Sequence, residues 1–459
     1  MKTIIPRLML AAPASGSGKT TVFCALLGAL QKRQYKSVAF KSGPDYIDPM
    51  FHRTVLETPS HNLDMFLFGG GDVGALRTKQ FVCQYSQGAD IALIEGAMGY
   101  YDGIGTTSEN SAYSIAKCTK TPVILVLNGK GAALSLAAMI HGFQTYREDS
   151  YIAGFILNQV KKSVYAYFKK AIEEAVGIPG CGYLPPLPEG TLQSRHLGLV
   201  TAAEVGHIQE KMRLLAETAE ETLDIDRLIQ LAHTAQTLTV PDWELPKGQA
   251  VTIAVAKDEA FCFYYEAALD VLRQMGAKLV FFSLLRDTAL PPCDGLYFGG
   301  GYPELHAQTL AANETMKRAI HEVIAQGMPC IAECGGFMYL LEAYEDQGKR
   351  YPFVGAITGT SHMTPSLTRF GYVQIKAQHE TAFCPQGYTF PAHEFHYSDS
   401  NHNGTVCIAQ KAKGKRHWPC FHSVGNLWAG YPHMHFAGCL EFAQQFLRRC
   451  LEYAVKEKE

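Results

Sequence analysis

Residues 7–21 read RLMLAAPASGSGKTT: a short apolar run, a turn of small residues, then Gly18, Lys19 and Thr20. An apolar run of this length that ends in a turn is the pattern of a buried strand, and residues 20–33 continue with apolar side chains at helical spacing. A phosphate-binding loop asks for glycine, four residues, then Gly-Lys-Ser/Thr; here Pro13 stands where the first glycine would be. The substitution leaves the physics intact. Backbone N–H groups of residues 15–20 still curl around an anion at a helix N-terminus, Lys19 offsets β/γ-phosphate charge, and the Thr20 hydroxyl is placed to ligate Mg²⁺.

On either side of that turn the pattern repeats. SVAFKSG (37–43), IALIEG (91–96), TPVILVLN (121–128) and IAGFILN (152–158) read as further buried strands, with helical segments between them. Such alternation predicts an α/β fold with an open, mostly parallel sheet whose ligands bind beyond the carboxyl ends of the strands. Those ends carry Asp45 and Asp48 after one strand, Glu95 and Asp102 after the next, and Asn158 after a later one. Mg²⁺ needs hard oxygen ligands. Any one of these carboxylates is better explained as a capping or surface residue, but acids at adjacent strand ends of a phosphate-loop fold point to a metal–nucleotide site. Asn158 presents an amide suited to an adenine edge, although asparagine also caps turns.

A helical stretch, 202–238, is followed by TVPDWELPKGQ (239–249), whose prolines, glycine and charges read as a linker. The expected division is an ATP-dependent domain over 1–236, a linker over 237–249 and a second α/β domain over 250–459. In the latter, PCIAECGG (329–336) lifts Cys334 onto a sharp strand-to-helix turn, as in a nucleophile elbow. The helix N-terminus is expected to lower the thiol pKa, with the Gly335 N–H as an oxyanion donor. FGGGYPE (298–304) ends another strand and offers a second donor at Gly300 or Gly301. Cys330 lies within the strand and is expected to be packing. A thiolate needs a base, usually histidine. His433 and His435 in GYPHMHFAG and the cluster HEFHYS (393–398) are the candidates, and no accompanying ligand pattern favours a metal there.

The 459 residues carry 41 Lys+Arg against 43 Asp+Glu, a balance that supports neither nucleic-acid nor polybasic membrane binding. Thirteen cysteines without CxxC pairs fit reduced thiols of a cytoplasmic protein. The apolar N-terminal run feeds the phosphate loop and is not a signal peptide; residues 121–140 are interrupted by Asn128, Gly129 and Lys130 and do not span a membrane. Two domains of low net charge are compatible with a monomer or a homodimer.

With these motifs on the page, APASGSGKTT (12–21), KSGPDYIDPMFH (41–52), IEGAMGYYDG (94–103), FILNQV (155–160), SRHLGLV (194–200), GGGYPELHA (299–307), ECGGFMYL (333–340), AHEFHYS (392–398) and GNLWAGYPHMHF (425–436) together resemble, in order and spacing, the cobyrinic acid a,c-diamide synthase family of cobalamin biosynthesis. The resemblance covers nearly the whole chain. It implies an N-terminal synthetase domain similar to dethiobiotin synthetase and a C-terminal glutamine amidotransferase similar to class I glutaminases. It implies ATP on Ser15, Gly16, Ser17, Gly18, Lys19, Thr20 and Thr21, with Mg²⁺ on Thr20, Asp45 and Glu95. Tyr46, Ile47 and Asp48 fall in the family's corrinoid-recognition stretch, and Asp102 lies near the reacting carboxylate. Cys334 matches the glutaminase nucleophile and His433 its base. The implied reaction is ATP- and glutamine-dependent amidation of two carboxylates of cobyrinic acid through an acyl phosphate; hydrogenobyrinic acid and a nickel sirohydrochlorin are alternative substrates. A partitioning-type ATP switch or a sensor with a decayed site are the readings of another class, and the Cys334–His433 pair argues against a switch. Two departures stand out. VLNGKG (126–131) replaces an aspartate- and arginine-containing turn, and His435 stands where many class I glutaminases have glutamate, which leaves the third member of the triad unassigned.

Overall fold

The computed structural model describes residues 1–187, 202–248 and 250–456, so SRHLGLV (194–200) lies outside the described residues. The chain divides into two compact units: Met1–Met65 with Gly71–Trp243, and Phe66–Gly70 with Glu244–Glu459.

The first unit is built on seven strands, β1 (Arg7–Ala11), β2 (Ser37–Ser42), β3 (Ser60–Leu63), β4 (Ile91–Glu95), β5 (Val123–Asn128), β6 (Ile152–Asn158) and β7 (Gly180–Leu184). They lie in the order β3-β2-β4-β1-β5-β6-β7, with every pair parallel. Buried on both faces, β1 needs a continuous apolar run, and Leu8, Met9 and Leu10 are fully buried. At its start Arg7 is buried too. Its guanidinium donates to the Thr119 carbonyl at 2.7 Å and to the Thr121 hydroxyl at 3.2 Å, which satisfies a cation that burial would otherwise penalise.

Two of these strands carried no hydropathy signal. β3 reads SHNL, all polar but for Leu63, yet all four residues are buried. Its polar atoms are satisfied locally: Ser60 Oγ lies 3.1 Å from His52 Nδ1, and Asn62 donates to the carbonyls of Gly43 and Asp45 at 2.9 and 2.6 Å. β7 reads GCGYL, where glycine masks the period. The helical stretch expected over 202–238 forms two helices, Ala202–Thr222 and Ile225–Ala232.

The second unit holds a six-stranded sheet with β8 (Val251–Ala256), β9 (Ala277–Phe282), β10 (Gly295–Phe298) and β11 (Cys330–Glu333) at its parallel heart. Beyond the expected elements lies an antiparallel sheet of β12 (Arg369–Ala377), β13 (Thr389–His396), β14 (Cys407–Lys411), β15 (His417–Cys420) and a short later strand. The chain then closes the main sheet with β16 (His422–Val424) and β17 (Leu427–Gly430), the latter parallel to β11, and ends the antiparallel sheet with β18 (His433–Met434) beside β13.

Two boundaries differ from expectation. Phe66–Gly70 belongs to the second unit although it interrupts the first in sequence, because Leu67 and Phe68 are fully buried there and the Phe66 ring packs at a tilt on Tyr372, centroids 4.9 Å apart. The first part of the expected linker is ordered structure of the first unit. Leu238–Thr239 pairs with Lys2–Thr3, and Trp243 packs on Phe81 at 5.0 Å beneath the Arg77 guanidinium. Among the described residues no helix is long and apolar enough to cross a membrane.

Candidate active sites

In the first unit the loop after β1 delivers helix α1 (Lys19–Lys32), and Gly18 at its N-cap has φ 88°. This left-handed conformation favours glycine, and a Cβ here would fall on the side-chain amide of Asn158. Asn158, at the end of β6, donates from Nδ2 to the Ser17 carbonyl at 3.0 Å, and its Oδ1 is buried without a partner among the described residues. The amide expected to read a base therefore braces the loop from below. Ser15 and Gly16 are exposed at the loop's crest, while Ser17 donates to the Ala14 carbonyl at 2.9 Å. Thr21 lies within the first turn of α1.

Lys19 folds back over the loop, donating to the Met98 carbonyl at 2.6 Å. Burial, aided by the charge of Lys41, pulls its pKa down to about 8. Below it, Thr20 Oγ1 donates to Glu95 Oε1 at 2.6 Å. The same Glu95 oxygen lies 3.0 Å from Lys41 Nζ, which also bonds Asp48 and lies 3.9 Å from Asp45. Burial opposes charge on Lys41, but the three carboxylates outweigh it and hold the ammonium well above the ordinary lysine value. Burial also opposes ionisation of Asp48, which the Lys41 charge reverses, whereas Glu95, fully buried, is pushed up to about 7. His52, tilted against the Phe23 ring, puts Nε2 3.6 Å from Glu95 Oε2 and is held neutral by burial.

Asp45 heads helix α2 (Ile47–Thr54): its Oδ1 accepts from the N–H groups of Ile47 and Asp48 at 2.8 and 3.2 Å. Tyr46 and Ile47 are half-buried on the same turn. Asp102 is exposed, and its Oδ2 accepts the Gly99 N–H at 3.0 Å. Lys41 and His52 were within the quoted motif KSGPDYIDPMFH but went unread. A lysine inside an otherwise apolar strand was the available signal.

Among the described residues no three His, Cys, Asp or Glu side chains form a preformed metal cage. The donor chemistry nevertheless suits Mg²⁺, since Thr20 and Glu95 are hard oxygens already in contact. Asp45 stands farther out, with one oxygen committed to the α2 backbone.

In the second unit, Cys334 sits between β11 and helix α3 (Gly335–Leu340) with φ 49° and ψ −105°, a strained conformation for a residue with a Cβ. Gly300, after β10, is the point where Cys334 and His433 meet. A Cβ placed on it would lie 2.5 Å from His433 Cε1, 3.3 Å from His433 Nε2 and 3.5 Å from Cys334 Cβ. Only a glycine lets the imidazole approach the backbone this closely. The Gly301 nitrogen lies 3.1 Å from where a Gly335 Cβ would stand, so Gly300, Gly301 and Gly335 gather around one point. Gly336, whose N–H bonds the Gly299 carbonyl at 3.0 Å, ties the two turns together.

One expectation is overturned. Cys334 is 7% exposed as a residue, and burial pushes its thiol pKa far above the ordinary cysteine value. Glu304 adds to the rise, and the Gly335 N–H lowers it too little to compensate. The short helix does not outweigh desolvation.

The two histidines near the C-terminus separate. His433 faces Gly300, whereas His435 is fully buried, accepts the Ala437 N–H on Nδ1 at 3.2 Å and packs against Phe68 and Tyr265. The HEFHYS cluster flanks the base: His393 is the register partner of His433, and His396 stacks on Tyr431 at 4.0 Å.

Residues 8–199 match the CobQ/CobB/MinD/ParA nucleotide binding domain, and residues 252–439 match the CobB/CobQ-like glutamine amidotransferase domain. The chain is 40% identical over 438 residues to the cobyrinate a,c-diamide synthase of Listeria monocytogenes, covering 94% of this chain and 96% of the relative. It is 40% identical to that of Salmonella typhimurium over 96% and 97% of the two chains, and 38% identical to that of Streptococcus sanguinis over 98% and 99%. The chain belongs to the cobyrinate a,c-diamide synthase family, glutamine-dependent amidotransferase ligases with a nucleotide-binding half and a glutamine amidotransferase half.

Proposed function

We propose that this protein uses ATP and glutamine to amidate the a and c acetate carboxylates of cobyrinic acid. The observation that carries the reading is identity of about 40% to enzymes of that name over nearly their full length, in a chain that has both a phosphate loop and a Cys334–His433 pair.

A carboxylate is a poor acyl donor because its leaving group would be oxide. Attack of the substrate carboxylate on the γ-phosphorus of ATP, with departure of ADP, gives an acyl phosphate whose leaving group is phosphate. The N–H groups of residues 15–20 hold the phosphates, and Lys19 neutralises charge that develops on the transferred group. Thr20 and Glu95 would hold Mg²⁺, which supplies further neutralisation of the phosphate oxygens. Tyr46, Ile47 and Asp48 at the head of α2, together with Asp102, are assigned to the tetrapyrrole side of this site.

In the second unit the Cys334 sulfur attacks the side-chain amide carbon of glutamine while its proton passes to His433. His433 returns that proton to the departing nitrogen, which leaves as ammonia, and a γ-glutamyl thioester remains. Water, deprotonated by His433, releases glutamate. N–H groups of Gly301 and Gly335 face the oxyanion. Ammonia attacks the acyl phosphate, phosphate leaves, and the amide is formed; two rounds give the diamide.

The test is mass spectrometry of cobyrinic acid after incubation with the purified protein, ATP, Mg²⁺ and glutamine. Conversion of two carboxylates to amides, absent without ATP, is the expected result. Glutamate release with an unchanged corrinoid would direct the search to hydrogenobyrinic acid or a nickel sirohydrochlorin, and no change in either would overturn the reading.

A further inference from the structure

We propose that Glu333 is the positioning residue of the glutaminase base, holding the His433 ring by its Nδ1 edge and countering the charge that forms on it. The proposal rests on the glutaminase reading above and deepens it by filling the place of the missing third partner.

Glu333 is the last residue of β11, directly before Cys334, and is 1% exposed. Cys330, Ala332 and Cys334 pack into one core cluster on one face of the sheet, and by the alternation of the strand Glu333 turns to the other face. There its Oε1 accepts the Met434 N–H at 2.9 Å, and its Oε2 accepts the Tyr297 hydroxyl at 3.0 Å. The same Oε2 lies 3.9 Å from His433 Nδ1. The opposite edge of that imidazole, Cε1 and Nε2, is the one that faces Gly300 and Cys334. The ring is thus set between the nucleophile and a carboxylate, with one nitrogen toward each. The bond to Met434 anchors the residue next to the base in sequence, so Glu333 fixes the backbone as well as the ring.

A carboxyl group fully buried at a strand end is costly unless it does something there. Burial, only partly offset by the Met434 and Tyr297 hydrogen bonds, pushes Glu333 up to about 8, and burial, with His393 and His396 adding to it, pulls His433 down to about 3, so each is driven toward neutrality. His393 and His396, themselves held neutral by burial, bring no negative charge to the ring, and a proton on either would disfavour one on His433. The Tyr297 hydroxyl donates a hydrogen bond to Glu333, which favours its carboxylate form.

The chemistry follows from the arrangement. A carboxylate at Nδ1 selects the tautomer with Nδ1–H and leaves Nε2 free as the acceptor. On attack the Sγ–H bond breaks, an Sγ–C bond forms, the carbonyl π pair moves onto oxygen, and the proton goes to Nε2. The imidazolium so formed is paired with Glu333 after a closure of about 1 Å, within the tightening expected on substrate binding. Collapse of the tetrahedral species breaks the C–N bond, and the Nε2 proton leaves with ammonia.

The test compares the full-length protein with Glu333→Gln and Glu333→Asp. Glutamine retains an oxygen for Met434 and an amide N–H for the Tyr297 oxygen, so the strand tie survives while the charge and the acceptor facing His433 Nδ1 are removed. Steady-state glutamine hydrolysis and the rate of Cys334 labelling by 6-diazo-5-oxo-L-norleucine are measured from pH 4 to pH 10, in assays short enough to precede acid unfolding. Glu333→Gln should lower kcat by about 10²-fold while KM changes by no more than about twofold. The acid limb of its pH–rate profile should move to lower pH, because loss of the carboxylate makes the imidazolium a stronger acid. Glu333→Asp, which restores the charge, should recover part of the rate. A Glu333→Gln protein with wild-type kcat and an unmoved acid limb overturns the assignment while the glutaminase reading stands. So does equal loss in both variants accompanied by a fall in thermal midpoint, since that is the mark of a structural role. A wild-type protein that neither hydrolyses glutamine nor takes the label overturns the glutaminase reading itself, and the assignment with it.

Discussion

Lys41 and Glu95 form a buried ion pair beneath the phosphate loop, Nζ to Oε1 3.0 Å, on neighbouring strands β2 and β4. The pair fixes where carboxylates can gather, because Asp48 and Asp45 converge on the same ammonium.

Removing that ammonium leaves its acidic partners uncompensated in the interior. Lys41→Met should destabilise the first unit by about 3–5 kcal/mol, the usual cost of breaking a buried pair from one side. Calorimetry should resolve this as an earlier unfolding transition, and ATP-dependent amidation should be lost. An unchanged transition would mean the carboxylates are protonated or hydrated without help from Lys41.

The brace under the loop makes a graded prediction. Asn158→Ala removes one buried hydrogen bond to Ser17, worth about 1 kcal/mol, and should weaken ATP binding by roughly fivefold in equilibrium titration. Gly18→Ala should abolish binding, since its methyl group meets Asn158 and its φ of 88° disfavours any side chain. In the double variant Gly18→Ala/Asn158→Ala the steric clash is gone but the strained φ persists, so only partial recovery is expected.

Separate chemistry in the two units predicts separable loss. Cys334→Ala should release no glutamate yet retain amidation when ammonia is supplied. Gly300→Ala, which puts a methyl group 2.5 Å from His433 Cε1, should behave alike while its circular dichroism stays that of the wild type. Loss of ammonia-dependent amidation in both would contradict the division of labour.

Stability should fall on mild acidification for a reason other than carboxylates. His52, His393 and His433 are depressed to about 3, and His396 to about 4, all primarily by burial. In the unfolded chain each titrates near 6.5, so below that pH the unfolded state binds protons that the folded state refuses. Stability from each group is complete above about pH 6.5 and falls by about 1.4 kcal/mol per pH unit as pH drops toward the folded pKa. Urea midpoints between pH 7 and pH 5 should show this slope, and His393→Gln should reduce it by one proton. A slope unaffected by that substitution would show His393 to be protonated in the folded protein.

Local backbone geometry was readable from sequence. The turn at 12–20, the elbow at Cys334 and the parallel strands on either side of them are written in short contiguous runs, because phosphate loops and strand-to-helix turns are set by neighbouring residues. Strands with polar or glycine-rich sequences escaped. SHNL and GCGYL are buried by partners elsewhere, and hydropathy along the chain cannot register a hydrogen bond supplied from another segment. The antiparallel sheet around β12 and β13 was missed for the same reason, as long-range pairing leaves a weak local trace.

What the linear chain established is the identity of the chemical groups: a phosphate-binding turn, acids at strand ends, a thiol on a turn, and histidines near the C-terminus. Their pairing came from the folded molecule. His433 rather than His435 faces Cys334, Asn158 supports the loop instead of standing open to a base, Lys41 gathers the carboxylates, and Glu333 lies behind the base. Burial then set the protonation of these groups, and it reversed the expected effect of the helix on Cys334. Contacts between residues remote in sequence, and the desolvation they impose, exist only once the strands are assembled.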